Sequence, residues 1–541
     1  MQSSQETSEL GGESHSWLRL MEAISESDID TIQSIIDSKA PIDEKGENDL
    51  TPLMWASFNG DLAIVSKLVS AKASLDANDV ENRTPLMFAL NNGQAAAVSV
   101  LIDAKASLEI PNADGHTPLM VAISNGFHEI AELLIAAGAD VETRNSEGSP
   151  ALLVAALQRD LQTMRSLIEA GASLQETNNA ALTPLMIAAL NGYSDAVDVL
   201  VAAKVDVDAR DVENRSALSL AALNGHAQSI PALVAAKASL ECVDKQGWTP
   251  LMSACLNGHS AVVRVLIDSG AAIEATDAQG RTPLLLAACN GHHDAARVLV
   301  DAKASIEAVS GESLTPLLYA AANGHVATVK VLLEAGATID CKDKQESTPI
   351  MLAAHNGHAD ALQALLSARA AVEATDRHGW SALLWASRRG NPAAVRVLLA
   401  ANAALEAKGK NGNSALLCAA AEGHTEVVRM LIDAKAELEA IDWYGKTSLH
   451  AAAMEGRPET VGVLIECKAI VDSRTTYGST PLMLAATEGF HEIVKMLLDA
   501  GASVDVKNND DQTPLMLASE CGCEETVAVL LNAEIAAVKG P

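Results

Sequence analysis

The sequence is poor in aromatic and in basic residues, and each shortage excludes a class of protein. Phe, Trp and Tyr make up 3% of the 541 residues, so any core must be assembled from small aliphatic side chains rather than from stacked rings. Lys and Arg number 38 against 70 Asp and Glu, which gives a formal net charge of −32. So large an excess of anionic groups argues against a protein that wraps nucleic acid or lies on an anionic membrane.

Segments that would direct the chain out of the cytoplasm are also missing. The N-terminus is polar and lacks the basic start and apolar stretch of a secretory signal, and residue 2 is Gln rather than a glycine that accepts myristate. No later run approaches the roughly 18 to 20 apolar residues of a membrane span. The 8 Cys are scattered without a C-x-x-C pair, which indicates reduced thiols. We therefore expect an intracellular protein, cytoplasmic or nuclear, without direct membrane insertion.

The chain is rich in repetition at a period of 33 residues. Most repeats begin with a Thr-Pro pair. Where this pair is absent, the same position is taken by Pro150, Ser216, Ser381, Ser414 and Thr447, each followed two residues later by Leu. A degenerate repeat fits the same period upstream of Thr51. The Thr-Pro pairs that set the period, each followed by Leu or Ile, begin at Thr51, Thr84, Thr117, Thr183, Thr249, Thr282, Thr315, Thr348, Thr480 and Thr513.

This period sets the predicted domain boundaries. Residues 1–16 form a polar tail that we expect to be disordered, and residues 17–541 form one solenoid. The solenoid consists of a degenerate capping repeat, 17–49, and fifteen regular repeats over 50–541. We number the repeats from the degenerate one, so that repeat 5 begins at Pro150 and repeat 12 at Ser381.

Each repeat predicts a pair of helices and a tight turn. Thr followed by Pro favours a helix start, because the hydroxyl caps free N–H groups and Pro at the first helical position loses no useful donor. Nine residues later a Gly ends the helix in every regular repeat except repeat 5, which has Arg159. A second amphipathic helix follows, and the tip that leads to the next repeat carries Gly, Asn or Asp at a position that favours positive φ.

The pattern T-P-L-x-x-A-A, then N-G-H, then L-L-x-A-G-A, resembles the ankyrin repeat. The resemblance implies an all-α solenoid of helix pairs with β-hairpin tips, curved into a superhelix whose concave groove binds other proteins. It also implies that the function is binding rather than catalysis.

The chain departs from the family pattern at several places. Met replaces the usual fourth-position His in most repeats, and only His450 keeps it. Lys often stands where the family ends the second helix with Gly, as at Lys303, and we expect it to pair with an acid four residues on, here Glu307. Repeat 5 breaks several rules at once and predicts a weak joint. Pro231, inside a second helix, predicts a local disruption of that helix.

No catalytic, cofactor or metal site is expected. The sequence lacks H-E-x-x-H, P-loop and G-x-S-x-G motifs, and the repeats leave no room for a catalytic domain. The regular row His226, His259, His292, His325, His358 and His424 spaces its members by layers roughly 10 Å apart. That spacing is too wide for shared zinc ligands, so we expect each ring to brace its loop.

The candidate partner-binding site is an aromatic and basic island near repeat 12. Arg, Trp and Tyr are the residues most often found as interface hot spots. The opposing interpretation is that the arginines only offset neighbouring acids and that the rings lie flat on adjacent tips. Trp385 is predicted to be core, since aliphatic residues take its place elsewhere. The candidates are Arg377, His378, Trp380, Arg388, Arg389, Trp443, Tyr444 and Tyr477, with Trp248 as an isolated addition.

The sequence favours a monomeric, non-enzymatic scaffold that binds protein partners through its groove and tips. The acidic surface favours partners that carry basic segments. Two alternatives stay open at this point. One is a structural or elastic spacer without a dominant patch, and the other is an accessory subunit of an enzyme complex.

Overall fold

The computed structural model describes the backbone of residues 13–539 and the side chains of residues 17–535. Residues 1–12 of the predicted N-terminal tail lie outside these limits, and residues 13–16 belong to the first helix.

The described residues form sixteen consecutive helix pairs, which matches the number of predicted repeats. The first eight pairs are α1 Glu13–Ser25 and α2 Ile29–Asp37, α3 Pro52–Asn59 and α4 Leu62–Ser70, α5 Pro85–Asn91 and α6 Ala95–Asp103, α7 Pro118–Ser124 and α8 His128–Ala136, α9 Ala151–Gln158 and α10 Leu161–Glu169, α11 Pro184–Asn191 and α12 Ser194–Ala202, α13 Ala217–Leu223 and α14 Ile230–Ala235, α15 Pro250–Leu256 and α16 Ser260–Asp268. The other eight are α17 Pro283–Cys289 and α18 His293–Asp301, α19 Pro316–Ala322 and α20 Val326–Glu334, α21 Pro349–His355 and α22 Ala359–Ser367, α23 Ala382–Arg388 and α24 Pro392–Ala400, α25 Ala415–Glu422 and α26 Thr425–Asp433, α27 Ser448–Met454 and α28 Pro458–Glu466, α29 Pro481–Thr487 and α30 His491–Asp499, α31 Pro514–Glu520 and α32 Glu524–Lys539. Two short 3₁₀ helices span Glu47–Asp49 and Ala227–Ser229.

The helix starts and stops follow the predicted chemistry. At α17 the Thr282 hydroxyl accepts the N–H of Leu285 at 3.4 Å, Pro283 opens the helix, and Gly291 follows its end with φ 78°. The interruption at Pro231 is confirmed, since the first turn there becomes the 3₁₀ segment and α14 keeps only six residues.

The tips are turns, and the described residues contain no β-strand, so the expected hairpins are not confirmed. In the tip before repeat 12, the N–H of Gly379 donates to the carbonyl of Asp376 at 2.9 Å, and the N–H of Asp376 donates to the carbonyl of Trp380 at 3.1 Å. Gly379 has φ 74°, as its position in the sequence predicts.

The chain divides into two compact units, residues 13–254 with 264–272 and residues 255–263 with 273–539. Within each unit, first helices pack against the first helices of neighbouring repeats, and second helices pack against second helices. The cores consist of small aliphatic side chains, such as the fully buried Leu284, Ala288 and Leu299 of the second unit. This arrangement agrees with the aromatic-poor composition.

The expected pairing of Lys with the acid four residues on is wrong. Lys303 adopts the left-handed conformation with φ 69°, but the carboxylate of Glu307 accepts the backbone N–H of Thr338 in the next repeat at 2.7 Å. An ion pair between exposed side chains contributes little, whereas the carboxylate of Glu307 joins two repeats through a charge-assisted hydrogen bond to the backbone. The same bond to the residue 31 positions later is made by Asp43, Asp76, Glu109, Glu142, Asp208, Glu241, Glu274, Asp340, Glu373, Glu406, Glu439 and Asp472.

Repeat 5 compensates in part for its missing glycine. Arg159 takes the left-handed position with φ 55°, and its guanidinium forms two-pronged hydrogen bonds to Asp195, the shortest 2.8 Å. These bonds hold the pKa of Asp195 below its ordinary value. The tip after repeat 5 has Ala181 at φ 58°, where other tips have Gly, Asn, Asp, Ser or Glu.

Candidate partner-binding site

The predicted island is built on the tip before repeat 12 and on the end of α23. Arg377 and His378 are exposed on the tip, and Arg388 and Arg389 are exposed at the helix end. The expectation for Trp380 is wrong, because this side chain is only 7% exposed. Trp380 therefore lies beneath the exposed residues of the site instead of presenting its ring at the surface.

Asp376 organises the tip beneath these residues. One carboxylate oxygen accepts the N–H groups of His378 at 2.7 Å and Trp380 at 2.9 Å, and the other accepts the indole Nε1–H of Trp385 at 3.1 Å. Asp or Asn at the equivalent place in other tips makes the same pair of backbone bonds, as Asp277 does to Gln279 and Arg281. The indole bond thus ties the tip of repeat 12 to its first helix.

The two tryptophans exchange the roles that the sequence predicts for them. Trp385, expected in the core, is only half-buried, and its ring centroid lies 4.8 Å from that of the buried Trp380. The guanidinium of Arg388 lies 5.0 Å from the Trp380 ring centroid. This contact supports Arg388 while its side chain stays exposed.

His355, at the end of α21, is a site residue that the sequence analysis missed. Its ring lies 4.7 Å from that of Trp385, and its Nε2 accepts hydrogen bonds from Nε of Arg389 at 3.1 Å and from Nη2 at 2.9 Å. Burial, and then the charges of Arg389 and Arg388, hold the pKa of His355 below its ordinary value. The sequence does set His355 apart, because the equivalent positions of the preceding repeats carry the apolar residues Leu, Cys and Ala.

Glu422 and His424 of repeat 13 complete the site. A carboxylate oxygen of Glu422 lies 3.4 Å from Nε of Arg388, with both side chains about half exposed. Nε2 of His424 lies 3.0 Å from the backbone carbonyl of Arg388, which fixes the ring against the end of α23. Neither residue belongs to the predicted island, and His424 is a member of the histidine row.

These side chains line a cleft that crosses repeats 11 to 13. We call it the cationic cleft, and its volume is about 460 Å³. Its lining residues are His355, Trp385, Arg388, Arg389, Glu422 and His424. A second cavity of about 280 Å³ adjoins it across His355 and Trp385, and Met351 and Leu352 give that cavity an apolar wall.

Comparison with known families decides the identity of the fold. Overlapping matches to a family model described as ankyrin repeats (3 copies) run from residue 20 to residue 539. The chain belongs to the ankyrin-repeat family. Ankyrin repeats are generally protein–protein interaction modules and are typically non-enzymatic. No curated protein matches the chain.

Three other predicted ankyrin tip residues, Trp443, Tyr444 and Tyr477, are exposed but do not line the cleft. Trp443 is 69% exposed and lies across Gly412, and Tyr477 is 63% exposed. Tyr444 is 53% exposed, with Nζ of Lys446 5.7 Å from its ring centroid. Trp248 lies in the other compact unit, half-buried, and its Nε1 has no hydrogen-bond partner among the described residues. The structure therefore does not gather the predicted aromatic residues into one patch.

The histidine row of the ankyrin repeats braces the backbone. Nε2 of His292 lies 2.9 Å from the carbonyl of Leu256, at the end of the preceding first helix, and Nε2 of His325 lies 2.9 Å from that of Cys289. The rings thus satisfy helix-end carbonyls. No group of three metal-ligating side chains occurs in the part of the chain that the structure describes, and none of its helices is long and apolar enough to cross a bilayer.

Proposed function

We propose that the protein is a non-enzymatic scaffold that holds a protein partner at the cationic cleft of repeats 11 to 13. The single observation that carries this proposal is the state of Arg389. Its exposed guanidinium faces the neutral ring of His355, and among the described residues no carboxylate pairs with it. Other exposed arginines of the described residues, such as Arg396, also lack an ion pair, but Arg389 lines a cleft beside Arg388, where a partner side chain can be enclosed.

The neighbouring repeats supply the opposite charge. Glu455 and Glu488 are exposed and occupy the place of Glu422 in the next two repeats, at layer spacings of roughly 10 Å. A partner segment lying along these helix ends would meet the cleft first and then two acids. This order supports the expectation that the partner carries basic residues, which the net charge of −32 would also attract.

The same proposal places the scaffold inside the cell, in the cytoplasm or the nucleus. All eight cysteines are free, which suits a reducing compartment.

The test is affinity capture with crosslinking mass spectrometry on the full chain. We expect the double variant Arg388→Ala, Arg389→Ala to lose the main partner that the wild-type protein retains. The matched control is Arg396→Ala, which removes an exposed arginine from the second helix of the same repeat. Equal recovery of the partner by the double variant and by the control would reject the cleft as the binding site.

A further inference from the structure

Two of the exposed arginines near repeat 12 donate to histidine rather than to a carboxylate. Nε of Arg377 lies 3.1 Å from Nε2 of His378, and Nε of Arg389 lies 3.1 Å from Nε2 of His355. A neutral imidazole satisfies the donors but leaves the positive charge in place. Arg377 and His378 do not line the cationic cleft, so its cationic character comes from Arg389 and Arg388.

Arg388 is the third arginine, and its counter-ion is loosely held. The contact to Glu422 is 3.4 Å, and both side chains are about half exposed, so solvent screens the pair. The ring of Trp380 supports the guanidinium independently of Glu422. Glu422 can thus turn away without releasing Arg388, and it acts as an internal competitor for the cleft.

The adjoining cavity has a different character. Met351 and Leu352 form one apolar wall, and the half-buried ring of Trp385 forms the partition shared with the cationic cleft. Asp343 and Asp376 also line this cavity, but their carboxylates accept backbone N–H groups of their own tips. An apolar side chain two residues from a carboxylate on the same peptide would reach the second space while the carboxylate occupies the first, because alternate side chains of an extended segment share one face and lie roughly 7 Å apart.

We propose that the cationic cleft takes the carboxylate of an Asp or Glu side chain from an extended partner segment, with the apolar side chain two residues away in the second cavity. Arg389 supplies two parallel N–H donors to the carboxylate after releasing Nε2 of His355, and Arg388 adds charge. The acidic anchor and the basic residues that face Glu455 and Glu488 belong to one segment. This inference rests on the proposed function and specifies what the site selects.

The test selects random linear peptides displayed on phage against the full chain. Enriched peptides are then synthesised, and their binding is measured by fluorescence anisotropy. We expect the enriched peptides to share an Asp or Glu two residues from an apolar residue. Changing that acid to its amide should weaken binding about tenfold or more, as is usual for a lost Arg–carboxylate pair.

The protein variants give matched arms. Arg389→Ala should weaken the enriched peptides about tenfold, while Arg396→Ala should leave them unchanged. Glu422→Gln should strengthen them several-fold, because it removes the competing carboxylate and keeps both arginines. Thermal melting of each variant by circular dichroism checks that the fold is intact.

Three outcomes would overturn the inference. Cleft-dependent peptides that are basic or uncharged would refute the acidic anchor while leaving the cleft as a binding site. Acidic peptides indifferent to both Arg388→Ala and Arg389→Ala would refute the cleft as their receptor. A selection that enriches no peptide would also count against it, and the proposed function would then stand or fall separately on capture of the intact partner.

Discussion

The indole of Trp380 occupies the space that a side chain on residue 409 would need. A Cβ on Gly409 would lie 2.9 Å from Nε1 and 3.1 Å from Cδ1 of Trp380. Residue 409 follows Asp376 by one period, so it stands where most tips have the Asp or Asn that binds the turn. Burial of Trp380 in one tip thus requires glycine in the next.

This coupling predicts a conditional effect of Gly409→Ala. In the wild-type background we expect a loss of about 1–3 kcal/mol of local stability, because the added methyl group overpacks the contact with Trp380. In a Trp380→Ser background the same change should cost little, and Ser is the natural residue at this place in other repeats, as at Ser347. Amide hydrogen exchange over residues 376–413 measures both; equal costs in the two backgrounds would disprove the coupling.

His450 predicts a pH-dependent stability for repeats 14 and 15. Its ring is buried, Nδ1 accepts the N–H of Thr447 at 3.2 Å, and Nε2 lies 3.1 Å from the carbonyl of Ser479. Burial lowers the pKa of His450 from 6.5 to about 4. The unfolded chain therefore binds the proton first, so stability present above pH 6.5 is lost as the pH falls towards 4, by at most about 3 kcal/mol.

His450→Met is the natural control for that effect, because Met stands at this position in most repeats. Met483 shows that its sulfur can accept the same cap N–H, from Thr480 at 3.4 Å, but it offers no donor to the next repeat. The variant should be less stable at neutral pH and should lack the loss between pH 6.5 and 4. Hydrogen exchange of repeats 14 and 15 at several pH values is the measurement. The same pH dependence in His450→Met would assign the effect to another group.

Lys303 and Glu307 should behave as independent residues. Lys303→Gly should stabilise the protein by up to about 1 kcal/mol, because it relieves a side chain at φ 69°. Glu307→Ala should destabilise it by about 0.5–1.5 kcal/mol, because the exposed N–H of Thr338 exchanges its carboxylate acceptor for water. A double-mutant cycle from thermal melts checks this. A coupling energy as large as either single effect would show that Lys303 and Glu307 interact, as the sequence suggested.

The joint between repeats 5 and 6 should open more readily than its neighbours. Gln175 stands where other repeats have the acid that binds the next repeat, and among the described contacts it makes no bond to the N–H of Asp206. Ala181 adds a non-glycine residue at φ 58°. We expect faster amide exchange in repeat 5 than in repeats 8 and 9, and partial rescue by Ala181→Gly. Uniform protection across these repeats would contradict the expectation.

The sequence predicted the helix pairs because their determinants are local. Thr caps, Pro at the helix start and Gly at the helix end act within one repeat, and positive φ at Gly379 and Lys303 follows from position alone. The site depends on contacts between repeats, which no single repeat contains. The sequence could not show that Trp380 is buried against Gly409. Nor could it show that Glu307 accepts the N–H of Thr338, because these groups meet only when the two repeats stack.

The most direct test of the account is a hydrogen-exchange footprint of the full chain bound to its captured partner. We predict that protection concentrates in residues 376–391 and 419–425, which carry the tip of repeat 12, both arginines, Glu422 and His424. Arg389→Ala should remove that protection, whereas Arg396→Ala should preserve it. Protection confined to other repeats, with residues 376–391 exchanging as in the free protein, would contradict the cleft as the place where this ankyrin-repeat protein binds.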